Sequence, residues 1–117
     1  MNYVDGYVIA VPTASREAYR KMAEAMAVVF KKHGALSVVE NWGDDVPEGK
    51  LTSFTMAVKR EETESIVFSW ITWPSRAVRD AAWKLCMEDP IMKDESLFKI
   101  FDGKRMIFGG FETIVQA

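Results

Sequence analysis

A chain of 117 residues, 49% of them hydrophobic and 27% charged, has the size and composition of one folded domain with one core. A net charge of −2 without clustered Lys or Arg argues against a nucleic-acid surface. The first ten residues carry no basic segment and Asp5 interrupts their apolar run, so no secretory leader is expected, and no stretch approaches the ~20 apolar residues of a membrane span.

Residues 3–11, YVDGYVIAV, read as a strand, with Tyr3, Asp5, Tyr7, Ile9 and Val11 on one face and Val4, Gly6, Val8 and Ala10 on the other. Pro12 ends it, and Thr13 or Ser15 caps a helix. Tyr19, Met22, Ala23, Met26, Val29, Phe30 and His33 then recur at helical spacing on a single face, and Gly34 closes the helix as a left-handed residue. Residues 35–42 are a second strand and 43–50 a loop. LTSFTMAVK at 51–59 alternates Phe54, Met56 and Val58 against Ser53, Thr55 and Ala57. It reads as a strand that forms a hairpin with 65–73 through the charged turn between them. Ser75 caps a second helix, whose buried stripe is read as Val78, Ala81, Ala82, Leu85 and Cys86; Asp89-Pro90 ends it. Residues 91–101 form an irregular segment with a short helix, Asp102-Gly103 a turn, and 105–115 the last strand.

This order predicts an α+β fold: a single ferredoxin-like domain over 1–117 with two main helices on one face of an antiparallel sheet, here with one additional strand. Ile66, Phe68 and Trp70 point one way and Val67, Ile71 and Trp73 the other, so the sheet is apolar on both faces. Two helices cover only one face. A second copy of the same sheet is the simplest cover for the other, which predicts a homodimer. Gly109 and Gly110 interrupt the last strand, where missing side chains allow bending, close packing by bulky groups or the approach of a ligand.

The segments DGKRMIFGGFE and VENWGDDVPEGK, with Trp73-Pro74-Ser75 and His33-Gly34, resemble the small bacterial YbaA-like family of unknown function, in the dimeric α+β barrel superfamily. The similarity runs from YVDGYV to FETIV. It implies a ferredoxin-like subunit and a dimer with facing sheets, and no established activity. Distant superfamily members include cofactor-free monooxygenases, haem-degrading enzymes, muconolactone isomerases and ligand-binding regulator modules, which place ligands between sheet and helices. Their catalytic residues find no matching motif in this chain.

His33, the only histidine, stands at a helix C-terminus on the apolar face, suited either to proton transfer or to capping the last carbonyls. Glu40 shares a strand face with Val38 and Trp42, so its carboxylate has a partner or points into a cavity. Across the tight turn, His33 and Glu40 are a candidate catalytic pair or a structural hydrogen bond. Trp42, Trp70, Trp73 and Trp83 are candidates for an aromatic pocket or for packing, and Gly109 and Gly110 for ligand approach. Asp44, Asp45 and Glu48 match no metal motif and read as a solvated loop. The lone Cys86 cannot form an internal disulfide, which suits a reducing cytoplasm, and it lacks a neighbouring histidine. No phosphate-binding loop, dinucleotide fingerprint or zinc pair is present, so no cofactor is expected. Three functions follow: a homodimer binding a small apolar or aromatic molecule between sheet and helices, a cofactor-free oxygenase or isomerase using His33 and Glu40, or an interaction module with a filled core.

Overall fold

The computed structural model describes residues 1–117 and contains β1 (Tyr3–Pro12), α1 (Arg16–Lys32), β2 (Ser37–Trp42), α2 (Phe54–Ala57), β3 (Glu64–Trp73), α3 (Arg76–Cys86) and β4 (Ile107–Glu112). The strands form one antiparallel sheet in the order β2-β3-β1-β4, the ferredoxin-like arrangement. No helix is long and apolar enough to cross a membrane. The long strands β1 and β3 lie at the centre in register, with Tyr3 opposite Trp73 and Pro12 opposite Glu64.

The helical spacing of α1 is realised: Tyr19, Met22, Ala23, Val29 and Phe30 are buried. Gly34, at φ +115°, turns the chain out of the helix, and the Ala35 amide returns to the Phe30 carbonyl at 3.0 Å. The Ser75 hydroxyl accepts from the Val78 amide at 3.2 Å and so starts α3 as expected.

Two expectations are corrected. Residues 51–59 are not a strand, and the sheet has four strands rather than five. Ser53 caps the single turn α2 by accepting from the Met56 amide, and Thr55 and Val58 are the buried positions. That spacing of three is helical, and the alternating Phe54 and Met56 stay almost half exposed. The stripe of α3 is also rotated. Ala82 and Cys86 are buried, whereas Leu85 is 55% exposed and Ala81 lies outside. The inner face includes Arg79 and Trp83 instead, because both reach Asp5 on β1.

The second sheet face is covered in part by this chain itself. Val46 and Val58, from the connection between β2 and β3, pack on Ala10 and Ile66. The rest of that face stays open, with Phe68 at 45%, Ile107 at 44% and Phe111 at 61% exposure around half-buried Val4, Val8 and Trp70. The two glycines of β4 have separate reasons. Gly109 faces the open side, where the ring of Phe111 lies across it and across its strand partner Gly6. Gly110 faces the helices, and a Cβ there would overlap the Tyr3 hydroxyl and lie 2.6 Å from Nη2 of Arg79.

Candidate ligand cavity and its carboxylate

Three half-structured turns follow α3: Pro90–Lys93, Leu97–Lys99 and Gly103–Arg105. The first and the last are capped by an aspartate. The Asp89 carboxylate accepts from the Ile91 amide, and Asp102 accepts from the Lys104 amide. The second anchor extends further. Asp102 also holds Nε of Arg105 at 3.1 Å, and both terminal nitrogens of Arg105 fork onto Glu64 at 2.7 Å each. Glu64 is 5% exposed at the start of β3. The guanidinium holds its carboxyl below the ordinary carboxylate range against the opposing effect of burial. The DGKR sequence thus fastens the 90–106 segment over the helix side of the sheet.

Beneath that segment lies a cavity of about 280 Å³ between sheet, α1 and α3. Fourteen of its 17 lining residues are hydrophobic, including four of the seven methionines: Met22, Met26, Met92 and Met106. Its polar groups form a row across three strands. Tyr7 of β1 is opposite Ser69 of β3, and Ser69 is opposite Glu40 of β2, all facing the helices. From α1 the Tyr19 hydroxyl donates to Oε1 of Glu40 at 2.6 Å. Glu40 is the only charged residue in the lining, and no salt bridge reaches it. It keeps much of its surface because it looks into the cavity. Its apolar surroundings raise its pKa all the same; hydrogen bonds from Tyr19 and Ser69 act in the opposite direction. Burial likewise pushes the Tyr7 and Tyr19 hydroxyls well above the usual tyrosine range, with Asp5 adding to the effect at Tyr7 and Glu40 at Tyr19.

A second carboxylate on this face, Asp5 on β1, is saturated. It is 5% exposed and accepts from Nε1 of Trp73 at 2.9 Å, Nε1 of Trp83 at 3.1 Å, and Nε and Nη2 of Arg79 at 3.0 and 2.8 Å. Arg79 also stacks 5.1 Å over the ring of Tyr3. This network fixes the cavity wall formed by Trp83, whose ring meets Phe30 at 5.1 Å.

Of the residues singled out from sequence, Glu40 lies in the cavity and His33 does not. His33 caps α1 half-buried, its backbone amide bonded to the Val29 and Phe30 carbonyls, and its side chain makes no hydrogen bond. No hydrogen bond joins the candidate pair His33 and Glu40; the side chain of His33 stays at the helix end, and Glu40 accepts instead from Tyr19, about four turns earlier, above mid-β2. Trp42 packs beside Arg16, whose guanidinium carbon is 5.6 Å from its ring centroid. Trp70 lies on the open face against Phe68, and Trp73 is fully buried on Asp5. None of these three lines the cavity; Trp83 does. The spaces beside Gly109 and Gly110 are filled by Phe111 and by Tyr3 and Arg79. Asp44 and Glu48 line a smaller polar depression, where Glu48 accepts from the Thr55 hydroxyl at 3.1 Å.

Residues 2–103 match the model of a family described as "Protein of unknown function (DUF1428)". Over 116 residues the chain is 57% identical to "Uncharacterized protein YbaA" of Escherichia coli (strain K12), and 99% of each chain is covered. The same figures hold for the protein of that description in Shigella flexneri. Among solved structures, a dimeric ferredoxin-like protein from an uncultured marine organism aligns with TM-score 0.66 at 13% identity over 99% of this chain and 98% of that one. SnoaB, a cofactor-independent oxygenase from Streptomyces nogalater, aligns with TM-score 0.62 at 13% identity, over 98% and 95% of the two chains. At such identities the likeness is one of fold.

Proposed function

This chain belongs to the DUF1428 family of proteins of unknown function, and we propose that it is a homodimer that binds a small, largely apolar molecule between sheet and helices. One observation carries the proposal: the 280 Å³ cavity walled by methionines and aromatic rings around a single carboxylate. An apolar cavity of ~150 Å³ holds one benzene ring, so this one suits a body of about two rings. Methionine walls adapt to such a shape with little strain. The dimer is supported by the open sheet face, where removing Phe68 and Phe111 from water is worth about 1–2 kcal/mol each, and by the dimeric state of the marine ferredoxin-like protein. The reducing cytoplasm suits a chain whose one thiol, Cys86, is buried and unpaired.

Native mass spectrometry and a thermal titration with naphthalene test the two halves. A dimer that naphthalene stabilises is expected, with a smaller shift in Ala23→Leu, which adds three carbons to the cavity wall. A monomer at micromolar concentration refutes pairing through the sheet, and an unchanged Tm at saturating naphthalene refutes the cavity.

A second reading, a cofactor-free oxygenase or isomerase, draws on Glu40, a carboxylate of raised pKa beside Tyr19 and open to the cavity. In it Glu40 takes and returns a proton of the bound molecule. Turnover, read as oxygen uptake or solvent-deuterium incorporation, would then be lost in Glu40→Gln. Loss in His33→Ala as well would restore the wider pair read from sequence.

A further inference from the structure

The cavity's chemistry restricts what it takes. Its lining holds no Lys, Arg or His, and its one indole N–H, on Trp83, is committed to Asp5. Apart from the Tyr7 hydroxyl, whose O–H makes no hydrogen bond, what the wall offers is acceptors. A carboxylate has about four lone-pair sites, of which Tyr19 and Ser69 fill two at most, and the hydroxyl oxygens of Tyr7, Tyr19 and Ser69 stand around it. An anionic ligand would meet a like charge against an apolar wall with no cation in the lining to offset it. A protonated amine brings the missing positive charge and three N–H donors. The rings of Tyr7, Tyr19, Phe30, Trp83 and Phe101 supply π faces suited to a cation and walls suited to its hydrocarbon body.

We infer that the ligand is a hydrophobic amine, bound as its ammonium ion with the nitrogen on Glu40 and an aromatic or alicyclic body of about two rings among the methionines. This deepens the proposed cavity function and rests on it. The elevated proton affinity of Glu40 agrees: the site lacks a positive partner, and a bound ammonium supplies it.

The test uses three probes with one body: 1-naphthylmethylamine, 1-naphthylmethanol and 1-naphthoic acid, titrated calorimetrically into the full-length protein. The amine is expected to bind about tenfold or more tightly than the alcohol, and the acid weakest, since a charge-assisted hydrogen bond exceeds a neutral one by at least that factor. Glu40→Gln keeps an acceptor for Tyr19, so the fold survives. It should bring amine and alcohol to within about threefold of each other, with most of the change a loss of amine affinity. Amine affinity should pass through a maximum between the titration of Glu40 and that of the amine itself. Tyr7 from β1, Ser69 from β3 and Tyr19 from α1 face Glu40, and the covering 90–106 segment puts no charged side chain in the lining. Alcohol binding as tightly as amine, acid binding best, or an amine preference that persists in Glu40→Gln each overturns the inference while leaving the cavity function standing. Binding of none of the three probes, with naphthalene also inert, defeats the cavity function and this inference with it.

Discussion

Substituting the two glycines of β4 one at a time separates packing from bending. Gly110 has an ordinary backbone conformation, so Gly110→Ala adds no φ strain; the added methyl instead occupies the place of the Tyr3 hydroxyl and Arg79 Nη2. Both are ends of flexible side chains and can move, but Arg79 can move only by loosening its fork on Asp5. Asp5 stays buried and keeps the two indole N–H groups. A hydrogen bond to a charged group is worth about 1.5–3 kcal/mol, and restricting the unfolded chain returns about 0.4–1 kcal/mol. The net loss is about 1.5 kcal/mol, or a fall in Tm of about 6 °C for a chain of this size. Gly109→Ala brings its Cβ to 3.4 Å from the Phe111 ring, a contact the ring accommodates with a small shift. Its Tm should stay level or rise by a few degrees. Calorimetric melts at one fixed protein concentration measure both, so that the proposed dimer would weigh equally on each. A double-mutant cycle adds the mechanism: in an Arg79→Met background the cost of Gly110→Ala should fall by half or more. Equal losses at the two glycines, or an undiminished cost without Arg79, would refute the reasoning.

The fastening of the 90–106 segment and the charge of Glu40 give two further predictions. Arg105→Ala leaves Glu64 buried and unpaired, at a cost of about 2–4 kcal/mol in urea unfolding with an unchanged m-value. Arg105→Lys should recover only part, because an ammonium cannot span both Glu64 oxygens. The difference between wild type and Arg105→Ala should narrow as pH falls through the depressed pKa of Glu64, because that stabilisation requires its carboxylate. Glu40 has the opposite sign. Its folded pKa is raised, so above the ordinary value near 4.5 the unfolded chain releases the proton first and stability falls as pH rises through the folded value. Glu40→Gln should therefore match wild type below pH 4 and exceed it at pH 8; an equal difference at both pH values would rule this out.

The central strands β1 and β3 and the helix α1 were legible because each sustains one pattern over ten residues or more. LTSFTMAVK was too short for that. Its period of two and its Ser-started turn coexist over nine residues, and only the burial of Thr55 and Val58 decides between them. The tryptophans were illegible for a different reason. Hydrophobicity places all four against apolar neighbours, but which one borders a void depends on how α3 is rotated, and that rotation is set by Arg79 and Trp83 reaching Asp5.

Asp5 and Glu40 bring the two halves of that lesson together. Each is a carboxylate on the helix-facing side of an apolar strand, and the same rule marks both: a carboxylate so placed has partners or borders a cavity. For Glu40 the nearest candidate partner along the chain is His33, whereas the donor that reaches it, Tyr19, is 21 residues distant. Asp5 carried an equal signal and has the first outcome, with two indoles and a guanidinium converging on it. Glu40 has the second: a tyrosine, a serine and no cation, beside open volume. The number of donors that reach each carboxylate separates them. A saturated carboxylate holds the wall in place, and an undersaturated one facing apolar space keeps lone pairs free at the cavity wall.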